Sequence, residues 1–260
     1  MNHSLLYQTS ACWLAFGIFV LMMLFIFLGT LTGKWKNKGQ DEEANKGNSA
    51  MVSALFGLFS FVLAFSFGMS ESRYDGRRSH IVEEANSIGS SILCTSLYPA
   101  EEQKSFRADF RNYLEARINY FQASVEEGQI EEGEKQAQLL WDRASRLSKD
   151  ATLLVASQQM LPALAHMADR RSISNTSELS VVPDLIVYML FLISIIASFY
   201  AGYISAGKGK LNRMLAFGFC AITTLVIYIT LDLDRPRRGL LQMDVPKQNI
   251  YELRSLVKGN

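Results

Sequence analysis

Four long apolar segments dominate the hydrophobic pattern of this chain. They cover residues 11–31, 51–69, 185–204 and 215–231, and none of them contains a charged side chain. An α-helix needs about 20 apolar residues to cross the hydrocarbon core of a bilayer, which is about 30 Å thick. The pattern therefore predicts four transmembrane helices. Residues 1–10 contain no Lys or Arg, so we expect the first segment to be a retained helix rather than a signal peptide.

A charged insert, residues 70–180, separates the second and third apolar segments, and its apolar positions recur at helical spacing. One predicted buried face consists of Phe106, Phe110, Tyr113, Leu114, Ile118, Phe121 and Val125. A second consists of Leu140, Ala144, Leu147, Ala151, Leu154, Met160, Leu161, Leu164 and Met167. Pro99 is predicted to separate the first two insert helices, residues 126–133 to form a polar turn, and Pro162 to kink or restart the last helix.

These patterns predict an all-α membrane protein with a helical-bundle soluble insert. We divide it into residues 1–69 with transmembrane helices 1 and 2, residues 70–180 with the insert, residues 181–232 with helices 3 and 4, and residues 233–260 as a tail. The second helix is expected to continue into the insert as a stalk, because residues 70–92 contain no Pro. The tail ends in an amphipathic stretch that would dock on its own bundle or on a neighbouring subunit.

Composition agrees with a chain that is half membrane and half soluble, since 49% of residues are hydrophobic, 20% are charged and the formal net charge is +1. A nucleic-acid-binding protein would carry a basic excess. The three Cys and three His residues are scattered, so we expect no cofactor and no structural metal site. No nucleophile motif or glycine-rich phosphate loop occurs in the sequence, which argues against an enzyme.

The second apolar segment carries candidate pore residues. Small side chains recur on one helical face, and phenylalanines surround them. In lipid, such a face permits close helix packing. In an oligomer, it would instead line a narrow apolar constriction that gates ions by dewetting. The pore-lining candidates are Gly57, Ser60, Phe61, Ala64, Phe65 and Gly68.

Two polar clusters follow the second and fourth apolar segments and suggest a charged mouth or a network between helices. Their members are Arg73, Asp75, Arg77, Arg78, His80, Glu83, Glu84, Asp232, Asp234, Arg235, Arg237 and Arg238. Asp232 and Asp234 would pair with Arg73 or Arg77, because an unpaired carboxylate at a membrane edge is costly. Alternatively they would form a charged ring at a pore mouth or a weak cation site, although two carboxylates are too few for a closed calcium site.

Lysines and arginines in short loops indicate orientation, because positive charge tends to stay cytoplasmic. The first loop has Lys34, Lys36, Lys38 and Lys46, the third has Lys208, Lys210 and Arg213, and the N-terminal tail has none. This distribution favours a multi-pass protein of the bacterial plasma membrane with both termini and the insert outside. The arginines that follow the second and fourth segments give the other side a basic collar of its own.

The sequence resembles the bacterial bestrophin-like family in two passages, FVLAFSFGMSESRYDGRRSHIVEEANSIG at residues 61–89 and LDLDRPRRG at 231–239. The resemblance implies a pentameric, mostly anion-selective channel whose second helix lines an apolar neck, with Phe61 and Phe65 in the neck. It also implies cytoplasmic termini, and an acidic calcium-binding segment at Asp232 and Asp234. The chain lacks the family's tryptophan pair, its Pro-Phe-Gly turn and most of the acidic run, which argues against calcium control.

The leading hypothesis is therefore an oligomeric membrane protein that forms an ion-permeable pore along its second helices, in contact with membrane lipid and ions. The alternative belongs to another class: a membrane-anchored helical sensor or scaffold whose insert binds a partner or ligand without conduction. A ring of subunits with the second helices at its axis would favour the channel, and a dimer joined through the insert would favour the sensor.

Overall fold

A computed structural model describes residues 9–36, 42–122, 127–180, 182–207, 213–235 and 244–257. Every regular element in these ranges is helical, as the sequence predicts. The helices are α1 (Ala11–Lys36), α2 (Glu42–Cys94), α3 (Ala100–Gln122), α4 (Glu127–Leu147), α5 (Leu154–Leu179), α6 (Asp184–Gly207), α7 (Arg213–Leu233), α8 (Asp244–Glu252) and α9 (Arg254–Val257). A short 3₁₀ turn, Thr95–Leu97, follows α2.

Four of the described helices are long and apolar enough to cross a membrane, which confirms the prediction of four transmembrane helices. The candidate spans are Ala11–Trp35, Ala50–Leu97, Asp184–Ala206 and Arg213–Leu233. The second of these is far longer than a bilayer requires, because α2 continues without interruption beyond its apolar part to Cys94. The chain divides into two compact units, Met1–Tyr74 with Val181–Leu241, and Asp75–Ser180 with Gln242–Asn260.

In the first unit, α1 and α6 cross so closely that their backbones touch. A Cβ atom added to Gly29 would lie 2.0 Å from the backbone oxygen of Phe199, and one added to Gly202 would lie 2.0 Å from the oxygen of Ile26. Glycine is therefore required at this crossing. Around it, buried apolar side chains form the core of the unit, including Ile18, Met22, Phe59, Val62, Leu190, Ala197, Cys220 and Ile227.

In the second unit, α3, α4 and α5 bury the faces that the sequence predicts over most of their length. Buried side chains include Phe106, Phe110, Tyr113, Leu114, Ile118, Phe121, Leu140, Ala144, Met160, Leu164 and Met167. Val125 lies outside the described residues. The tail docks on its own chain, where Arg254 Nε donates to Glu115 Oε1 at 2.9 Å and Arg111 Nη2 donates to the carbonyl oxygen of Val257 at 3.1 Å.

The structure corrects the predicted polar turn at residues 126–133, because α4 already begins at Glu127. Gly133, the last residue of the predicted turn, is buried inside this helix. Its carbonyl oxygen accepts a hydrogen bond from Arg171 Nη1 at 2.9 Å, and a Cβ atom there would lie 3.7 Å from the Arg117 side chain. Pro162, expected to kink or restart a helix, lies inside α5.

Candidate functional site

The six pore-lining candidates all lie on one exposed face of α2. Gly57, Ser60, Phe61, Ala64, Phe65 and Gly68 are each exposed in the single chain. At 3.6 residues per turn they fall within an arc of about 140°. The opposite side of the same helix is buried, at Phe59, Val62, Ser66 and Ser70. The helix therefore presents one face to its own chain and leaves the candidate face uncovered.

The two phenylalanines of this face lie against each other. The rings of Phe61 and Phe65 are 6.2 Å apart at their centroids and 14° from parallel. Phe59, on the buried side, instead contacts Phe219 of α7 at 6.2 Å. This part of α2 thus has a stacked aromatic pair on its exposed face and another aromatic side chain packed against α7 on its buried face.

The small residues of the exposed face are not used for packing within the described chain. A Cβ atom added to Gly57 or Gly68 would meet no atom of the described residues within 4 Å outside its own helical turn. This differs from Gly29 and Gly202, where the same atom would overlap a neighbouring backbone. Close helix packing inside one subunit therefore explains Gly29 of α1 and Gly202 of α6, and it leaves the glycines on the candidate face of α2 unexplained.

The charged residues that follow this face differ in exposure. Asp75 and Arg78 are exposed, and Arg73 is half-buried. Arg77 is buried, and its Nη1 atom donates to the carbonyl oxygen of Ser180 at 3.2 Å. A buried guanidinium needs such acceptors, because its five N–H groups cannot be deprotonated. Arg77 is therefore bound inside its unit. The charged groups of Asp75 and Arg78 are exposed to solvent in the single chain.

Glu84 of α2 and Arg117 of α3 form a completely buried ion pair. Arg117 Nε lies 2.6 Å from Glu84 Oε1, and Arg117 Nη2 donates to Glu84 Oε2 at 2.9 Å. The third guanidinium nitrogen, Nη1, donates to Asn175 Oδ1 of α5 at 3.1 Å. The guanidinium also lies 4.6 Å from the ring centroid of Tyr120 and 4.9 Å from that of Phe121. This cluster joins three helices of the second unit through one side chain.

Electrostatics within the cluster favour the charged pair. Burial is the largest single effect on Arg117 and lowers its pKa, but the Glu84 carboxylate, Tyr113 and Tyr120 together outweigh burial, so the pKa is raised. Burial also raises the pKa of Tyr113, and the negative charge of Glu84 adds to that effect. Tyr113 Oη has no hydrogen-bond partner among the described residues. The cluster thus contains one buried ion pair, Glu84–Arg117, and one neutral phenol, Tyr113.

Sequence reasoning included Glu84 in the charged network but missed its partner. Arg117 lies four residues after Tyr113 and four before Phe121, so it occupies the predicted buried face of α3. A charged side chain at such a position was the available signal, since buried charges need partners. The distance of 33 positions between Glu84 and Arg117 leaves no local pattern that would pair them.

Glu83 belongs to a second, more exposed network between α2 and α5. Arg170 Nη1 donates to Glu83 Oε2 at 2.8 Å, and His80 Nδ1 lies 3.7 Å from the same oxygen. Arg170 Nε also donates to His166 Nε2 at 3.2 Å. The side chains of His80, Glu83 and Arg170 are between 33% and 43% exposed, which is typical of a salt-bridged surface rather than of an acid–base site.

The residues after the fourth segment are buried and make structural contacts. Asp234 Oδ2 accepts a hydrogen bond from the backbone N–H of Val182 at 2.8 Å, and the Arg235 guanidinium donates to the carbonyl oxygen of Thr9. Asp232 is also buried. Arg237 and Arg238 lie outside the described residues. Within the described ranges no group of three or more His, Cys, Asp or Glu side chains could hold a metal ion.

Comparison with solved structures identifies the fold. A single-residue variant of a bacterial bestrophin homologue from Klebsiella pneumoniae matches with a TM-score of 0.73 at 12% identity, over 96% of this chain and 97% of that chain. A second variant of that homologue matches with a TM-score of 0.69 at 12% identity, over 94% and 99%. At such identities the likeness shows the fold alone.

Sequence comparison supplies the family. A search of curated proteins finds no significant match. Residues 14–245, which include three of the candidate spans and all but the first three residues of the span Ala11–Trp35, match the family described as the Bestrophin-like domain. This match covers most of the chain and agrees with the two passages at residues 61–89 and 231–239. The protein is therefore a helical membrane protein that belongs to the bestrophin-like family.

Proposed function

We propose that the protein forms an oligomeric, ion-permeable pore lined by the exposed face of α2. Family membership supports a channel-like protein, and the resemblance of residues 61–89 to bestrophins supports an anion as the permeant ion and five as the number of subunits. Asp75 and Arg78, exposed after this face, would contribute charge at one mouth. By the same resemblance, the protein would reside in a bacterial plasma membrane.

The observation that carries the proposal is the uncovered face of α2. Phe61 is 67% exposed and Phe65 is 57% exposed, although the other side of the same helix is buried against its own unit. Around the axis of a ring, several copies of this stacked pair would form an apolar collar. Such a collar holds water poorly and can therefore gate ions by dewetting. Gly57, Ala64 and Gly68 would let the helices approach the axis closely.

The proposal is tested by conductance recording on the purified oligomer in planar bilayers, with wild type compared with Phe65→Ala. Removing the ring widens an apolar constriction, so unit conductance or open probability should rise. Phe27→Ala is the matched control, because Phe27 is an equally exposed phenylalanine, at 58%, on α1. It should leave conductance unchanged. A reversal potential that follows the chloride gradient would support anion selectivity.

Three outcomes contradict the proposal in whole or in part. A purified protein that conducts no ion, with Phe65→Ala behaving like Phe27→Ala, would overturn the pore and favour the sensor or scaffold. A reversal potential that follows the potassium gradient would agree with a pore but contradict the proposed anion selectivity. An oligomeric structure without α2 at a central path would also contradict the pore.

A further inference from the structure

The first transmembrane helix carries a second exposed apolar face, of a different composition from that of α2. Its members are Trp13, Phe16, Val20, Leu24, Phe27, Leu31 and Trp35, each 48% or more exposed. We call this set the α1 stripe. At 3.6 residues per turn the seven side chains fall within an arc of about 100°. The opposite side of α1 is buried, at Ala15, Ile18, Met22 and Ile26.

The two ends of the stripe are both tryptophan. Trp13 is 72% exposed and Trp35 is 86% exposed. Along an α-helix with a rise of 1.5 Å per residue, these two positions are about 33 Å apart. The hydrocarbon core of a bilayer is about 30 Å thick. Tryptophan is enriched at both membrane–water interfaces, because its ring is apolar and its N–H group needs a polar partner.

Apart from Gly17, at the edge of its arc, the interior of the stripe is bulky and purely hydrocarbon, in contrast to the candidate pore face. Phe16, Val20, Leu24, Phe27 and Leu31 contain no polar side-chain atom, whereas the α2 face contains Ser60 and three residues no larger than alanine. Interfaces between membrane helices favour small and hydroxyl-bearing residues, since lipid chains are as apolar as leucine and only close packing distinguishes a protein neighbour. The two faces therefore favour different occupants.

We propose that the α1 stripe is the lipid-facing surface of the protein, with Trp13 and Trp35 anchored at opposite membrane interfaces. The stripe then fixes the depth of the bundle in the bilayer and puts α1 at the periphery of any oligomer. Subunit contacts would have to come from other helices. The inference concerns lipid contact alone and does not depend on conduction.

The three tryptophans of the chain, Trp13, Trp35 and Trp141, allow a direct test by fluorescence quenching. Variants that keep one tryptophan, with the other two changed to Phe, are reconstituted in vesicles containing lipids brominated near the headgroup or near the chain ends. We expect Trp13 and Trp35 to be quenched more by shallow bromine than by deep bromine. A Leu24→Trp substitution in a tryptophan-free background should show the reverse order.

The control lies in the same chain. Trp141 belongs to the charged insert, so the variant that keeps only Trp141 should show no quenching by either lipid. If bromine quenches neither Trp13 nor Trp35, or leaves Leu24→Trp fluorescence unchanged, a second copy of the chain covers the stripe and the proposal is overturned. If Trp13 and Trp35 are quenched most by deep bromine, the interface anchoring is wrong. A non-conducting protein with the expected quenching would leave this inference intact.

Discussion

Glu84 and Arg117 show what a single buried residue contributes to the second unit. The side chains are 0% and 1% exposed, and the carboxylate is held by two guanidinium nitrogens. Removing one partner of a buried pair leaves an uncompensated charge and costs about 3–5 kcal/mol. Glu84→Gln should therefore lower the free energy of unfolding by about that amount, as measured by thermal or denaturant unfolding of the full-length protein in detergent.

Glu83→Gln is the matched control for this change. Glu83 is the preceding residue on α2, carries the same charge and also pairs with an arginine, but its side chain is 43% exposed. An exposed ion pair contributes about 1 kcal/mol or less, because water and salt screen it. If Glu83→Gln and Glu84→Gln destabilise the protein equally, the buried pair does not have the energetic role that its geometry indicates.

Tyr113 is a buried tyrosine whose hydroxyl group contributes no hydrogen bond among the described residues. A buried polar group without a partner is unfavourable, so Tyr113→Phe should leave stability unchanged or increase it at neutral pH. Tyr98→Phe is the contrasting case, because Tyr98 Oη donates to Ser157 Oγ at 3.0 Å. That change should cost about 1 kcal/mol. A larger loss for Tyr113→Phe than for Tyr98→Phe would contradict the assignment.

The same tyrosine predicts a pH dependence with a definite sign. Burial first, and then the negative charge of Glu84, raise the pKa of Tyr113 in the folded state above its ordinary value of 10.0. Above about pH 10 the unfolded chain loses this proton while the folded chain retains it, so stability falls as pH rises, by about 1.4 kcal/mol per pH unit. Below that pH the contribution is fully present. In Tyr113→Phe the free energy of unfolding should fall less steeply with pH, because one fewer group releases a proton on unfolding. Unfolding measured across alkaline pH tests this.

At the scale of the elements, the crossing of α1 and α6 depends on glycine. A Cβ atom at Gly202 would overlap the Ile26 oxygen, so Gly202→Ala must push the helices apart. Overpacking of this kind typically costs about 1–3 kcal/mol. Gly17→Ala is the control on α1, because a Cβ atom there meets no described atom within 4 Å outside its own helical turn. It should be neutral or stabilising, since alanine favours helix. Resistance to unfolding in detergent separates the two variants.

The helices were predictable from sequence wherever a long apolar run or a helical spacing of apolar residues continued without interruption. The four apolar segments lie in α1, α6, α7 and residues 51–69 of α2, and the face at Phe106 and Phe110 is buried as its spacing predicts. Ala151 and Leu154 were predicted to be buried and are exposed, because α4 ends at Leu147 and the helical period does not continue through the turn that follows. Periodicity describes one helix at a time and carries no information across such a break.

The candidate sites were predictable to a smaller extent, for a physical reason. Helical periodicity predicted that Gly57, Ser60, Ala64 and Gly68 share a face of α2, and all four are exposed on one side of that helix. It could not pair Glu84 with Arg117, because that contact depends on how α3 packs against α2. Nor could it show that Asp234 would accept a hydrogen bond from Val182, far along the chain. Partners distant in sequence are selected by tertiary packing, which a local pattern does not encode.

At the scale of the whole molecule, the two exposed faces make opposite predictions for the same substitution. Gly57 lies on the candidate pore face and Gly17 lies within the arc of the α1 stripe, and a Cβ atom at either meets no described atom within 4 Å outside its own helical turn. Leucine at either position should therefore fold without strain inside one subunit. Only at Gly57 would it meet other subunits, because lipid accommodates an added side chain and a packed ring does not.

We therefore expect Gly57→Leu to reduce the population of the oligomer in native mass spectrometry, or to reduce its conductance in a bilayer. Gly17→Leu should change neither quantity. Since the two variants add the same side chain to an equally open position, a difference between them reports contact between subunits rather than folding. If Gly57→Leu assembles and conducts like wild type, α2 does not line the axis. If Gly17→Leu alone disrupts assembly, the α1 stripe is the subunit interface and the lipid assignment is wrong.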